Sequence, residues 1–122
     1  MSKEQFLIEL DQKLKAMSWP VIMPDQFNKL LAKGENMAII DVREKEDCCF
    51  EDIRIEKKHI YHIPFNSFVR EIEQLDLSNY KYVCTLCTAG PKGAVAASIA
   101  RWMGRENVVF VKGGVVEVDI FR

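Results

Sequence analysis

The sequence lacks any apolar run long enough to cross a membrane, and it carries almost no net charge. No run approaches the roughly 20 residues that a transmembrane helix needs. Charged residues also interrupt the N-terminal segment, where a signal peptide has an unbroken apolar centre. The formal net charge of −1 gives no reason to expect a nucleic acid or an anionic membrane as a partner. We therefore expect a cytoplasmic protein that binds neither.

The chain has four cysteines and two histidines, which limits the redox and metal chemistry open to it. The cysteines are Cys48, Cys49, Cys84 and Cys87. They are too few and too irregularly spaced for the disulfide framework of a secreted domain, so we expect thiols. A zinc site would have to combine Cys84 and Cys87 with His59 and His62, but zinc ligand pairs normally lie on tight turns and not within strands. We expect no metal and no other cofactor.

What the sequence does contain is enough apolar residues for one core, arranged in alternating helix and strand patterns. Hydrophobic residues make up 48% of the 122 positions. We interpret residues 1–19 as an N-terminal helical extension and residues 20–122 as one domain. The expected helices cover 3–17, 24–34, 66–75 and 94–103. The expected strands cover 37–41, 60–63, 81–86 and 107–111. A short helix and a loop are expected within 44–58. This alternation predicts an α/β fold with a mainly parallel central sheet and helices on both faces.

Cys87 says more about chemistry than any other residue, because it stands between a predicted strand and a predicted helix. The loop 88–93 that follows it contains two glycines and one full positive charge, Lys92. Successive backbone N–H groups and a helix N-terminus at such a position favour negative charge on or near the sulfur. The loop could hold a thiolate, a persulfide, or an anion such as thiosulfate or phosphate. The alternative is that Cys87 is a buried, inert cysteine.

Four motifs follow one another along the chain: Val21-Ile-Met-Pro-Asp-Gln-Phe27, Ile39-Ile-Asp-Val-Arg-Glu44, Cys87-Thr-Ala-Gly-Pro-Lys-Gly93 and Val111-Lys-Gly-Gly114. Together they resemble the motifs of the rhodanese-like domain family, over roughly residues 21–118. The resemblance implies a rhodanese-like fold and a sulfurtransferase or sulfur carrier. Cys87 would take a sulfane sulfur from a donor as a persulfide and pass it to a nucleophilic acceptor.

The same resemblance assigns roles to the residues around Cys87. The loop residues that would hold the persulfide are Thr88, Ala89, Gly90, Pro91, Lys92 and Gly93. Asp41 and Arg43 would pair at a strand end and support the loops near the site. The implied donor is a small sulfane-sulfur compound such as thiosulfate, and a protein can serve as donor or acceptor.

Other chemistries remain as alternatives. The related phosphatases have a loop one residue longer that ends in arginine, so the loop from Cys87 to Lys92 argues against phosphate ester hydrolysis. A rhodanese-fold binding or regulatory module that does not use its thiol is the main competitor. A thiol redox sensor would need a second reactive cysteine. Cys84 does not suit that role, because residues three apart on a strand point to opposite faces, and we expect it to pack in the core.

Overall fold

Helices and strands alternate along the chain in the computed structural model, which describes residues 1–48, 53, 55–89 and 91–120. Within these residues the helices are α1 (Lys3–Ala16), α2 (Pro24–Ala32), α3 (Phe68–Glu73) and α4 (Pro91–Trp102). The strands are β1 (Val21–Ile22), β2 (Met37–Asp41), β3 (Ile60–His62), β4 (Tyr82–Leu86) and β5 (Val108–Val111). Short 3-10 helices cover Lys57–His59, Phe65–Ser67 and Gly114–Glu117.

The strands form one parallel sheet in the order β1-β5-β4-β2-β3. Asp41, the last residue of β2, pairs with Leu86 of β4 on one side and with His62 of β3 on the other. The carboxyl ends of these three strands therefore meet at one edge, and Cys87 follows directly after β4. Reactive groups commonly collect at this edge of a parallel sheet. The predicted α/β fold with a parallel sheet is confirmed.

Helices cover both faces of the sheet, as predicted. On one face Phe68 of α3 and Ala97 of α4 pack in a core cluster with Ile40 of β2. On the other face Phe27 of α2 packs in a second cluster with Ile39. Since neighbouring residues of β2 enter opposite clusters, the whole strand is buried. An unbroken apolar run is what a strand covered on both faces requires.

The two N-terminal helices agree with the sequence-based prediction. The Ser2 hydroxyl accepts a hydrogen bond from the Gln5 backbone N–H at 3.0 Å and caps the start of α1. Gly34 follows α2 with a φ of +66°, a conformation that glycine adopts without strain. In the part of the chain that the structure describes, no helix has the length and apolar character needed to cross a bilayer.

Two elements differ from the prediction. Val21 and Ile22, which lie before the predicted helix 24–34 and for which no strand was predicted, form β1 and pair with Phe110 and Val111 of β5. A strand of two residues is too short to give a period-2 pattern. The last helix begins at Pro91 and not at residue 94, because the fixed φ of proline suits the first helical position.

The region between β2 and α3 also departs from expectation. The short helix predicted within 44–58 is absent from its described residues, where a turn covers 45–47 and a 3-10 helix covers Lys57–His59; residues 49–52 and 54 lie outside the description. In α3, Phe68 and Ile72 are buried, whereas 52% of the Val69 surface is exposed. One residue further along a helix points about 100° away from the buried face.

Candidate active site

Cys87 is held at the carboxyl edge of the sheet by backbone hydrogen bonds on two sides. The N–H of Val42, just after β2, donates to the Leu86 carbonyl at 2.9 Å. The N–H of Val115, in the 3-10 helix after β5, donates to the Cys87 carbonyl at 2.8 Å. Only 5% of the Cys87 surface is exposed. The strand end and the turn after β5 therefore fix the backbone that carries this thiol.

The start of α4 packs directly against β4 beneath Cys87. The buried Thr85 hydroxyl donates a hydrogen bond to the Gly93 carbonyl at 2.7 Å. A β-carbon at Gly93 would lie 3.3 Å from the Thr85 carbonyl oxygen and 3.6 Å from the Cys87 nitrogen. Glycine at this position lets the first turn of α4 approach the strand end closely. The N-terminus of α4 is thus brought next to the residue that follows β4.

The structure describes all the remaining predicted loop residues except Gly90. Thr88 and Ala89 are exposed, Pro91 begins α4, and Gly90 lies outside the described residues. The Lys92 ammonium is half-exposed, 3.9 Å from a Glu44 carboxylate oxygen and 6.0 Å from the centre of the Phe65 ring. Neither Glu44 nor Phe65 was identified from the sequence. Glu44 is the last residue of the motif Ile39–Glu44, and this position was the signal that could have identified it.

Asp41 and Arg43 form the predicted pair at the end of β2. Both guanidinium contacts, from Nε to Oδ1 and from Nη2 to Oδ2, measure 3.0 Å, and the Arg43 backbone N–H also donates to Oδ1 at 3.0 Å. Only 1% of the Asp41 side chain and 14% of the Arg43 side chain are exposed. A two-point carboxylate–guanidinium pair fixes the geometry of both partners. The Asp41–Arg43 pair fixes the backbone at the point where the chain leaves β2.

His62 links this segment to the end of β3. Its Nε2 lies 2.7 Å from the Arg43 carbonyl oxygen, which can only accept, so Nε2 donates and carries the proton. Its Nδ1 lies 3.7 Å from the sulfur of Cys48. His59 contacts a different group, the Tyr80 hydroxyl, at 2.8 Å. The two histidines therefore contact different groups. Among the described residues, no three or more metal-ligating side chains form a group that could hold a metal ion.

The cysteines differ in state and position. Cys84 and Cys87 form no disulfide, whereas Cys48 is disulfide-bonded, so the expectation of a thiol is wrong at Cys48. Cys49 lies outside the described residues. Cys84 is fully buried and packs in the cluster that contains Phe27, while Cys87 packs in the cluster on the opposite face. The predicted divergence of Cys84 and Cys87 and the core position of Cys84 are confirmed.

Burial raises the pKa of the Cys84 thiol to about 12. The folded protein keeps this proton in the alkaline range in which the unfolded chain, with an ordinary cysteine pKa near 8.5, loses it. Stability from this group is therefore complete below about pH 8.5 and is lost as the pH rises towards 12. We expect the free energy of unfolding to fall with a steeper slope above about pH 9 in the wild type than in Cys84→Ala. Denaturant titrations between about pH 8 and 11 measure the two slopes, and equal slopes would contradict the prediction.

The fold and the site place the chain in a known family. The family model described as Rhodanese-like domain matches residues 23–119, and the chain belongs to this family. Among curated proteins, no relative matches significantly.

Solved structures with the same fold include proteins with different descriptions. The human single-domain sulfurtransferase TSTD1 is 18% identical, with a TM-score of 0.63, over 82% of this chain and 95% of that one. A Rhodopseudomonas palustris protein of unknown function, described as a possible tyrosine phosphatase, is 19% identical, with a TM-score of 0.63, over 87% of this chain and 82% of that one. An NAD-dependent persulfide reductase from A. fulgidus is 23% identical, with a TM-score of 0.53, over 67% of this chain, but the match spans only 14% of the reductase. At these identities the likeness concerns the fold.

Proposed function

We propose that the protein is a sulfurtransferase or sulfur carrier that uses Cys87 as its nucleophile. The observation that carries the proposal is the position of this thiol, which forms no disulfide, directly after β4 and beside the first turn of α4. Membership in the rhodanese-like family and the sulfurtransferase description of one structural neighbour support it. Cys84 is no rival nucleophile, because it is fully buried on the other face of the sheet.

The proposed reaction consists of two displacements at sulfur. The Cys87 thiolate attacks the outer sulfur of a donor such as thiosulfate, the sulfur–sulfur bond of the donor breaks, and sulfite leaves with the electron pair. Cys87 then carries a persulfide, and a nucleophilic acceptor attacks its terminal sulfur and restores the thiolate. Backbone N–H groups of the loop 88–93, other than Pro91, which has none, and the N-terminus of α4 stabilise the terminal anion. Lys92 attracts the anionic donor, and a protein can also act as donor or acceptor.

Intact-mass measurements test this proposal. The reduced protein is incubated with thiosulfate, freed of excess donor, weighed, treated with cyanide and weighed again. We expect a species heavier by one sulfur atom that disappears with cyanide, in the wild type and in Cys84→Ala but not in Cys87→Ser. If neither thiosulfate nor a small-molecule persulfide gives this adduct, the proposal is wrong. Hydrolysis of p-nitrophenyl phosphate without an adduct would instead support phosphatase chemistry.

Lys92 provides a prediction about donor binding. Lys92→Gln removes the positive charge near the loop, and we expect the KM for thiosulfate to rise about two- to fivefold with little change in kcat, since a half-exposed charge contributes modestly. Glu44→Gln removes the carboxylate that competes with the donor for Lys92, so the KM for thiosulfate should fall in this variant. Lys81→Gln is the matched control, because Lys81 also lies 3.9 Å from a glutamate oxygen, that of Glu35, on another part of the surface. A KM that changes equally in Lys92→Gln and Lys81→Gln would contradict the prediction.

A rhodanese-fold binding or regulatory module is the second candidate. Two observations favour it: Cys87 is almost fully buried, and the Lys92 ammonium already has a carboxylate nearby. Such a module would remain unmodified by sulfane donors in the mass experiment. The redox-sensor alternative has less support, because burial raises the pKa of Cys84 to about 12 and leaves it unsuited to act as the second reactive thiol.

A further inference from the structure

The helix α1 carries an apolar stripe that the rest of the described chain does not bury. The stripe consists of Phe6, Leu7, Leu10, Leu14 and Met17. No residue of α1 is buried within the described structure, and 51% of Leu7 and 55% of Leu14 are exposed. Single exposed apolar residues are common on protein surfaces, but a continuous stripe of them marks an interaction surface.

α1 is also too short to be stable without packing. It has 14 residues, and an isolated helix of about 12–15 residues is only marginally stable in water. Its hydrogen bonds to the domain lie towards its C-terminal end: Lys13 Nζ donates to the Trp102 carbonyl at 3.1 Å, and Trp102 Nε1 donates to Met17 Sδ at 3.3 Å. The N-terminal half, with Phe6 and Leu7, therefore needs another surface.

A complementary surface lies at the other end of the same helix. The C-terminal end of α1 and one side of α4 form an apolar groove of about 570 Å³. It is lined by Leu14, Met17, Trp19, Ala94, Val95, Ser98, Ile99, Trp102 and Phe110. Trp19, which is 79% exposed, stands at this groove. Partly exposed tryptophan and apolar residues in a concave surface are typical of protein interfaces.

The charges on α1 indicate how such a surface would be occupied. Residues 3–10 contain one lysine and two glutamates and carry a net charge of −1, while residues 11–16 contain two lysines and one aspartate and carry +1. Two antiparallel copies of α1 place unlike halves together, whereas parallel copies place like halves together. Antiparallel helix dipoles also attract each other. The helix is thus complementary to an inverted copy of itself in both charge and apolar pattern.

We propose that two copies of this chain form a symmetric dimer through antiparallel α1 helices. Phe6 and Leu7 of each copy cover the groove that α4 and the C-terminal end of α1 form in the other copy. The same patch is used twice, which gives a closed two-fold interface. The α1 part of this interface lies outside the match to the family, which begins at residue 23, whereas the α4 part lies within it.

Light scattering after gel filtration of the full chain, in the presence of reductant, tests the dimer. At about 0.1 mM we expect twice the 14.1 kDa mass of one chain. Leu7→Glu would bury an unpaired charge in the interface and should raise the dimer dissociation constant at least about tenfold. Val69→Glu is the matched control, because Val69 on α3 is 52% exposed, nearly the same as Leu7 at 51%, and should leave the dimer intact. Circular dichroism checks that both variants are folded.

Charge exchange tests the orientation of the helices. Glu4→Lys with Glu9→Lys makes both halves of α1 positive and should weaken the dimer. Adding Lys13→Glu and Lys15→Glu restores it if the helices are antiparallel and weakens it further if they are parallel. A monomer at all concentrations, a dimer that survives Leu7→Glu, or oligomers that grow without limit would each overturn the proposal.

Discussion

Replacing Asp41 with alanine is expected to lower the free energy of unfolding by about 3 kcal/mol, because it removes a buried carboxylate that accepts charge-assisted hydrogen bonds from Arg43. Asp41 is 1% exposed and accepts three hydrogen bonds from Arg43, two from the guanidinium and one from the backbone. The alanine variant loses all three. It also releases the chain where β2 ends, beside the strand that precedes Cys87.

The exposed pair between Lys58 and Glu56 provides the control. Their nitrogen–oxygen distance is 3.3 Å, close to that of the buried pair, but 70% and 71% of the two side chains are exposed. Glu56→Ala should change stability by less than about 0.5 kcal/mol, since exposed ion pairs contribute little. Urea titrations of both variants measure the difference. Equal losses in Asp41→Ala and Glu56→Ala would show that the Asp41–Arg43 pair does not stabilise the fold.

The sheet and its helices could be predicted from the sequence because burial on both faces leaves a strong pattern. The unbroken apolar run of β2 and the helical spacing of apolar residues in α1 each have one interpretation. Helix ends were also readable where a residue has a fixed conformational preference, as at Gly34. The position of Cys87 at the carboxyl edge followed from the order of elements alone.

Contacts between distant segments could not be predicted in the same way. The proximity of Lys92 to Glu44 joins residues 48 positions apart, and the hydrogen bond from Val115 to Cys87 joins residues 28 apart. Each depends on the relative placement of loops that leave different strands, for which no local pattern exists. β1 was missed for a related reason, since two residues become a strand only through pairing with β5.

Cys87→Ser is expected to abolish sulfur transfer while leaving the fold intact. The serine hydroxyl cannot form a persulfide, so the rate of thiocyanate formation from thiosulfate and cyanide should fall at least about a thousandfold. The substitution places a hydroxyl at a position that is only 5% exposed, so the free energy of unfolding should fall by about 1–2 kcal/mol, which leaves the protein folded. Loss of activity in a folded protein would separate this residue from Asp41, whose replacement acts through the fold.

The matched control for this variant is Cys84→Ala, three positions earlier on the same strand. Cys84 lies on the opposite face of the sheet and is fully buried, so its loss should cost stability but leave the transfer rate within about threefold. In the transfer assay, the Cys87→Ser and Cys84→Ala variants are therefore expected to give opposite results. Retained transfer in Cys87→Ser, or its loss in a folded Cys84→Ala, would mean that Cys87 is not the residue that carries the sulfur.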